Sequence, residues 1–437
     1  MNNPTKFILK KILVLLLFTS IGIWKANAQN SIKRKEIKKI VQTLSDDQMK
    51  GRSALGEGGQ KAANYINNYF EELGLQKPKG SSNYLQTFSL NQLKPKTIKV
   101  SLDGHNIPED EMFLISNHES LHWTSNSAIE QIHISAEDDF PGTFRKMNGM
   151  EKDLIVTVAG VHLKTFERYR NYFSKGSKFL DNEEDKHSKL FILSNPIAIN
   201  DYEIEILQEK KKFQLANVLG MIPGKSKANE YVIFSAHYDH IGILQMQKGD
   251  SIANGADDDA SGTTAVMSLA KYFKNKGGGE RTIVFVAFTA EEIGGYGSQY
   301  FSKQYDPASI SAMFNIEMIG KLSKFGKNSA FITGFDKSDF GEILQKNLQG
   351  SPYRYFPDPY PDQRLFYRSD NATLARLGVP AHTISTDQID SDPHYHQVSD
   401  EFETLDLRNM TNIIRSIAKS AQSIVLGKDT PIRIMEE

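Results

Sequence analysis

No cysteine occurs anywhere in the 437 residues. That absence excludes disulfides, lipid attachment at a cysteine and thiolate metal ligands, so any metal must be held by His, Asp and Glu. A surplus of one charge is also missing. Lys and Arg number 52 against 53 Asp and Glu, for a formal charge of −1, which offers no basic field for nucleic acid or an anionic membrane. The apolar run ILVLLLFTSIGIW is shorter than the roughly 20 residues that cross a bilayer, and Lys25 closes it. No internal repeat is present.

The same run has the length of a signal-peptide core. Lys6, Lys10 and Lys11 precede it, and Ala26-Asn27-Ala28 puts small residues at the cleavage-determining positions. This predicts a signal peptide over residues 1–28, cleaved before Gln29, and an exported chain, periplasmic or extracellular, with no stable membrane anchor. An uncleaved anchor is the alternative, disfavoured by the short run. Losing the leader's four lysines takes the formal charge from −1 to −5.

Beyond the leader, residues 31–95 read as helical first. IKRKEIKKIVQTL and GGQKAANYINNYFEELGL space their apolar residues for helices, and Gly74 is a stop. Residues 96–211 read as an inserted β-rich module, with TIKVSL, DLIVTVAGV and KLFILS between charged segments such as DNEEDKHSK. It shows no clustered ligands and is assigned no chemistry. From 212 onward, ANVLGMI, YVIFSA, RTIVFVAF, AMFNI and VPAHTIS alternate with helix candidates, ending in TNIIRSIAKSAQSIVLG. That order predicts an α/β fold with a mainly parallel central sheet flanked by helices. The chain thus divides into 29–95 plus 212–437 and an insert at 96–211. YRYFPDPYPDQRLFY (353–367) reads as a stiff aromatic loop.

Potential metal ligands stand where these strands end: His237 and Asp239 after YVIFSA, Asp257-Asp258-Asp259 in GADDDASG, Glu291-Glu292 after RTIVFVAFTA, and Glu317 after AMFNI. His396 follows one loop after VPAHTIS. Open parallel sheets gather ligands beyond the carboxyl ends of their strands, and mixed imidazole and carboxylate donors suit zinc. From the residues alone, Asp257 and Asp259 equally suit a helix entry. His240 reads as a bystander, because neighbouring side chains on an extended segment diverge.

HYDHIG, NGADDDASGT, TAEEIGGYGS, NIEMIG and YHQVSD together resemble the M28 metallopeptidases, a family of co-catalytic zinc aminopeptidases of zinc-exopeptidase fold. GRSALGEGGQKAANYI and ANVLGMIPG add to the likeness, which covers 40–95 and 212–425 and leaves 96–211 unmatched. The resemblance implies two Zn²⁺ ions, with His237 and Glu317 on the first, Glu292 and His396 on the second, and Asp258 bridging. It further implies Asp239 as the acid that steadies His237, Glu291 as general base, and hydrolysis of N-terminal residues from peptides by a hydroxide shared between the ions. Tyr395 becomes a phenol donor to the developing oxyanion. Glu317 departs from the family, which usually has Asp there. His394 competes with His396, Asp400 either orients His396 or caps a helix, and Asp370 matches a recurrent family position without an assigned role.

Three rivals accompany this reading. A glutaminyl-cyclase-like enzyme would use one zinc, a carboxypeptidase would need Arg364 or Arg368 to hold a carboxylate, and a binding homologue would keep the scaffold without catalysis. A protease-associated-like role for 96–211 is an expectation only.

Overall fold

The computed structural model describes residues 32–127, 129–181, 187–194 and 199–435. The signal-peptide reading lies outside the described residues. The described residues form two compact units, one drawn from the spans Met1–Thr87 and Ala216–Glu437 and the other from Phe88–Leu215.

The sheet of the first unit holds β2 (Lys227–His237), β3 (Arg281–Phe288), β4 (Ile310–Ile316), β5 (Ser329–Ile332), β6 (Arg354–Pro357) and β7 (Ala381–Ser385), together with the part of β1 (Tyr202–Ile222) from Ala216 onward. Their order is β6-β5-β7-β4-β2-β3-β1. β2 pairs parallel with β3 and β4, and β4 pairs parallel with β7. β1 joins β3 antiparallel through Val218–Ile222. The sheet is therefore mainly parallel, as expected.

Every residue of β3 is buried, which is why RTIVFVAF is a continuous apolar run rather than an alternating one. The two faces separate by period two. Val232 and Phe234 of β2 pack in one cluster with Ile37, Ile66, Val266 and Ile413, drawn from helices Arg34–Leu44, Glu57–Leu73, Gly262–Lys276 and Leu407–Ser420. Ile233 points the other way, to Phe301 and Leu374. Glu57–Leu73 stops where Gly74 takes a left-handed φ of 60°, the backbone state in which glycine bears no side-chain clash.

Some elements differ from the sequence expectation. The aromatic segment 353–367 contains β6, at the sheet edge, where Pro357 loses no needed ladder bond. β5, only four residues long, and a hairpin of Gly242–Gln247 with Asp250–Ala253 were not anticipated.

The second unit is not purely β. A four-stranded sheet orders Met112–Ile115, Lys189–Leu193, Leu154–Val158 and Glu130–Ile134, with helices Phe140–Asn148 and Leu163–Phe173. Asp139 caps the first helix by accepting from the Gly142 N–H at 3.1 Å, a start signal that Asp-Phe-Pro already carried. Adjacent strands also bring exposed His122, Glu203 and Glu205 together, a grouping invisible at their sequence separation.

Candidate metal centre

β2 ends at His237, and His240, three residues on, forms an isolated parallel bridge with Ser53. His237 Nδ1 faces the Asp239 carbonyl at 3.0 Å, and its Nε2 lies 3.3 Å from Asp258 Oδ1. One donor atom from each of His237, Asp258 and Glu292 falls within 4.8 Å of the other two. His396 joins them, its Nε2 3.3 Å from Asp258 Oδ2 and 3.2 Å from Glu292 Oε2. Four of the residues expected to bind metal therefore converge. Glu317, the fifth, lies half-buried beside them, hydrogen-bonded to Ser369, and lines an adjoining cavity with Tyr395 and Arg368.

His240 is not a bystander. It is buried, with Nδ1 2.7 Å from Glu292 Oε1 and 3.7 Å from Asp258 Oδ2. His240 lies three residues beyond His237, past the end of β2, and the folded chain brings its ring to Glu292. His394 turns instead to Ser399 Oγ, 2.9 Å from its Nδ1.

The residues fit a divalent ion. A hydrogen bond to a carbonyl holds a proton on His237 Nδ1, so Nε2 is the nitrogen free to bind a metal once it gives up its own proton. That nitrogen and His240 Nε2 are buried without a hydrogen-bond partner. A cation would satisfy the His237 nitrogen and the carboxylates it faces, and a nitrogen–oxygen donor set of this kind suits zinc.

The electrostatics agree. Burial disfavours the charged imidazole of His396, yet Asp258 and Glu292 hold it up to about 10. Burial opposes ionisation of Asp258 as well, but His237 and His396 hold it well below the carboxylate range. Glu291 behaves differently: burial, with Glu317 and Asp370 adding, pushes it well up despite His237. Burial raises Asp239 and Glu317 to about 7 and Asp370 to about 6. Burial and the surrounding carboxylates raise the Tyr395 phenol, with Arg368 opposing. The Tyr395 ring stacks on His396 with centroids 4.0 Å apart.

Several groups hold these loops in place. Asp239 Oδ1 accepts the Glu291 N–H at 3.1 Å. Asp259 accepts from the N–H groups of Gly262 at 2.9 Å and Met318 at 3.1 Å. Gly255, at φ 54°, passes against the Asp258 carbonyl and the His240 ring, where a Cβ would collide with both. Asp400 touches the Asp258 loop instead of His396: its Oδ2 accepts the N–H groups of Asp257 and Asp258, both at 3.0 Å.

One anchoring residue carried no sequence assignment. Arg52 is fully buried. It donates to the carbonyls of Tyr238 (2.8 Å), Leu44 (2.8 Å), Asn254 (2.5 Å), Gly255 (2.8 Å) and Asp258 (3.3 Å). The segment GRSALGEGG that holds it was part of the family likeness, but an arginine beside a glycine says nothing about which carbonyls it meets.

Comparison with known proteins agrees with this geometry. Residues 217–421 match peptidase family M28. Leucine aminopeptidase 1 of Sclerotinia sclerotiorum is 26% identical over 284 residues, covering 62% of this chain and 71% of that protein. The chain spans about half the length of several other curated relatives it matches. An aminopeptidase from Aneurinibacillus sp. strain AM-1 superposes with a TM-score of 0.55 at 16% identity, covering 93% of this chain and 96% of that one. A zinc aminopeptidase from Bacillus subtilis gives 0.54 at 17%, covering 93% and 98%. This sequence match, the shared fold and the convergent donors identify residues 217–421, which hold every expected ligand, as similar to the zinc-dependent metallopeptidases of family M28.

Proposed function

We propose that the protein is an exported di-zinc aminopeptidase that releases N-terminal residues from peptides. The observation that carries this reading is the meeting of His237, Asp258, Glu292 and His396 beside the raised carboxyl of Glu291. His237 and Glu317 would hold one ion, Glu292 and His396 the other, with Asp258 between them. Zinc bound there polarises a carbonyl and brings water toward a pKa of about 7.

The chain's own groups supply the rest. The Asp239 carbonyl keeps the His237 proton on Nδ1, so Nε2 remains a donor to metal. Glu291 accepts the proton of the attacking water on its carboxylate and passes it to the leaving amine. Its raised affinity for protons suits both halves of that task. The Tyr395 hydroxyl donates to the oxygen that gains charge. Met318, Phe331, Leu365 and Ile389 give the adjoining cavity apolar walls for a substrate side chain. The same loops carry a strong excess of carboxylates, which favours a substrate's free ammonium.

Arg368 lines that cavity, whereas Arg364 is not among its lining residues. This favours one second reading, a carboxypeptidase in which Arg368 holds the substrate carboxylate. Amino-blocked and carboxy-blocked dipeptides decide between them, since an aminopeptidase cleaves only the carboxy-blocked set. Zinc counted by native mass spectrometry tests the two-ion assignment, and Glu291→Gln tests the base. The variant should keep its zinc and lose at least about 10²-fold in kcat; full activity would exclude Glu291 from the proton transfer. Export is supported by the charged start, apolar run and Ala26-Asn27-Ala28, and predicts a secreted form beginning at Gln29 by N-terminal sequencing.

A further inference from the structure

The segment that supplies Glu317 continues through Met318-Ile319-Gly320 to Lys321. The Lys321 ammonium lies 2.6 Å from Asp392 Oδ2, 3.6 Å from Asp257 Oδ2 and 3.7 Å from Asp400 Oδ1. Those three carboxylates are nearly inaccessible, with side-chain exposures of 4%, 0% and 1%. Their places in the chain matter. Asp257 precedes Asp258, while Asp392 and Asp400 stand four residues to either side of His396.

One ammonium thus stands where three ligand-bearing segments meet. The second oxygen of Asp400 reaches across to the N–H groups of Asp257 and Asp258. The second oxygen of Asp257 accepts the Gly320 N–H at 2.7 Å. Without the cation, three buried carboxylates would face one another at close range, with Asp387 beside them, and their repulsion would drive the segments apart. His396 also has a φ of 56°, a conformation that a non-glycine residue keeps only when its surroundings over-determine it.

We propose that Lys321 is a positioning residue of the metal centre: by drawing Asp392 and Asp400 onto Asp257, its ammonium sets the separation of His396 and Asp258. The inference rests on the two-ion reading for its effect on metal, and on the fold alone for its effect on the loops. Lys321 touches none of the proposed ligands, so it acts through its three carboxylate partners.

The test compares wild type, Lys321→Met and Lys321→Arg. Met keeps much of the length without the charge, and Arg restores the charge. Zinc affinities come from stepwise competition with a chelating dye. Hydrogen exchange of the apoprotein, followed by mass spectrometry, reads the loops without metal. Lys321→Met should weaken the second zinc by about 10- to 100-fold, the usual cost of losing a group that orients a ligand. It should hold the first zinc nearly as wild type does, and exchange faster at 254–261 and 388–402 but not in β3 or helix Leu407–Ser420. Lys321→Arg should restore both. Unchanged exchange in those loops overturns the inference, as does faster exchange everywhere with equal weakening at both ions, which would mark a merely structural role. Wild-type protein that binds one zinc or none overturns the two-ion reading instead. The exchange comparison still decides the role of Lys321 in that case.

Discussion

Replacing Arg52 with Met tests whether the metal loops are held by backbone carbonyls gathered on one guanidinium. The substitution keeps an unbranched side chain and removes every donor. Tyr238, Leu44, Asn254 and Gly255 then lose a charged hydrogen bond of 2.5–2.8 Å. At about 1.5–3 kcal/mol for each such bond, the gross loss is about 6–12 kcal/mol. Met also escapes the desolvation of a buried guanidinium, which costs several kcal/mol, a cost visible in the lowered pKa of Arg52. The difference leaves a net loss of about 3–5 kcal/mol, the range for breaking a buried charged array. Urea unfolding with EDTA present measures it without metal linkage, and Arg52→Lys should recover part of the loss. A loss below about 1 kcal/mol for Arg52→Met would refute the reasoning, because four carbonyls cannot be stranded so cheaply.

Other outcomes follow from the same geometry. His382 is buried between the Ser338 hydroxyl and the Thr333 carbonyl, and burial lowers it to about 4. Its unfolded value is about 6.5, so as pH falls the unfolded chain takes the proton first. Stability should drop by about 3 kcal/mol between pH 6.5 and 4; His382→Asn should flatten that limb of the profile, and identical profiles would contradict the assignment. Tyr395→Phe should lower kcat by about 10²-fold with zinc content unchanged, as expected for removing one oxyanion donor; a near-normal kcat would leave the ring a packing role only. Zinc uptake by the apoprotein at pH 7.5 should expel protons, because His396 is held up to about 10 and must become neutral to ligate. Calorimetric heats that do not depend on the buffer's ionisation enthalpy would count against this.

The parts of the fold that sequence made legible are those where burial forces a pattern. β3 is covered on both faces and reads as unbroken apolar sequence, and Gly74 marks the end of its helix. β5 and β6 escaped because four residues at a sheet margin make too short a pattern, and Pro357 argues locally against a strand. The helices of the second unit are short and flanked by β-branched runs, so the Asp139 cap is their main local signal. In the site, strand-end placement made His237, Asp258, Glu292 and Glu317 stand out. His240 carried no such signal, because the contact of its ring with Glu292 is made by the folded chain and not by its place after β2. Arg52 and Lys321 carry no local signature at all, since their partners are brought near only by the folded chain.

The Arg52 guanidinium reaches across 186 to 206 residues of sequence to the turns that carry His237 and Asp258. The stretch matched by the family, 217–421, therefore holds every proposed ligand but not the clamp that shapes them. A fragment beginning at Ala216 would be complete in its chemistry and incomplete in its architecture. The loops of the metal centre are tied to an early segment, and trimming the chain to its recognisable motifs would discard that tie.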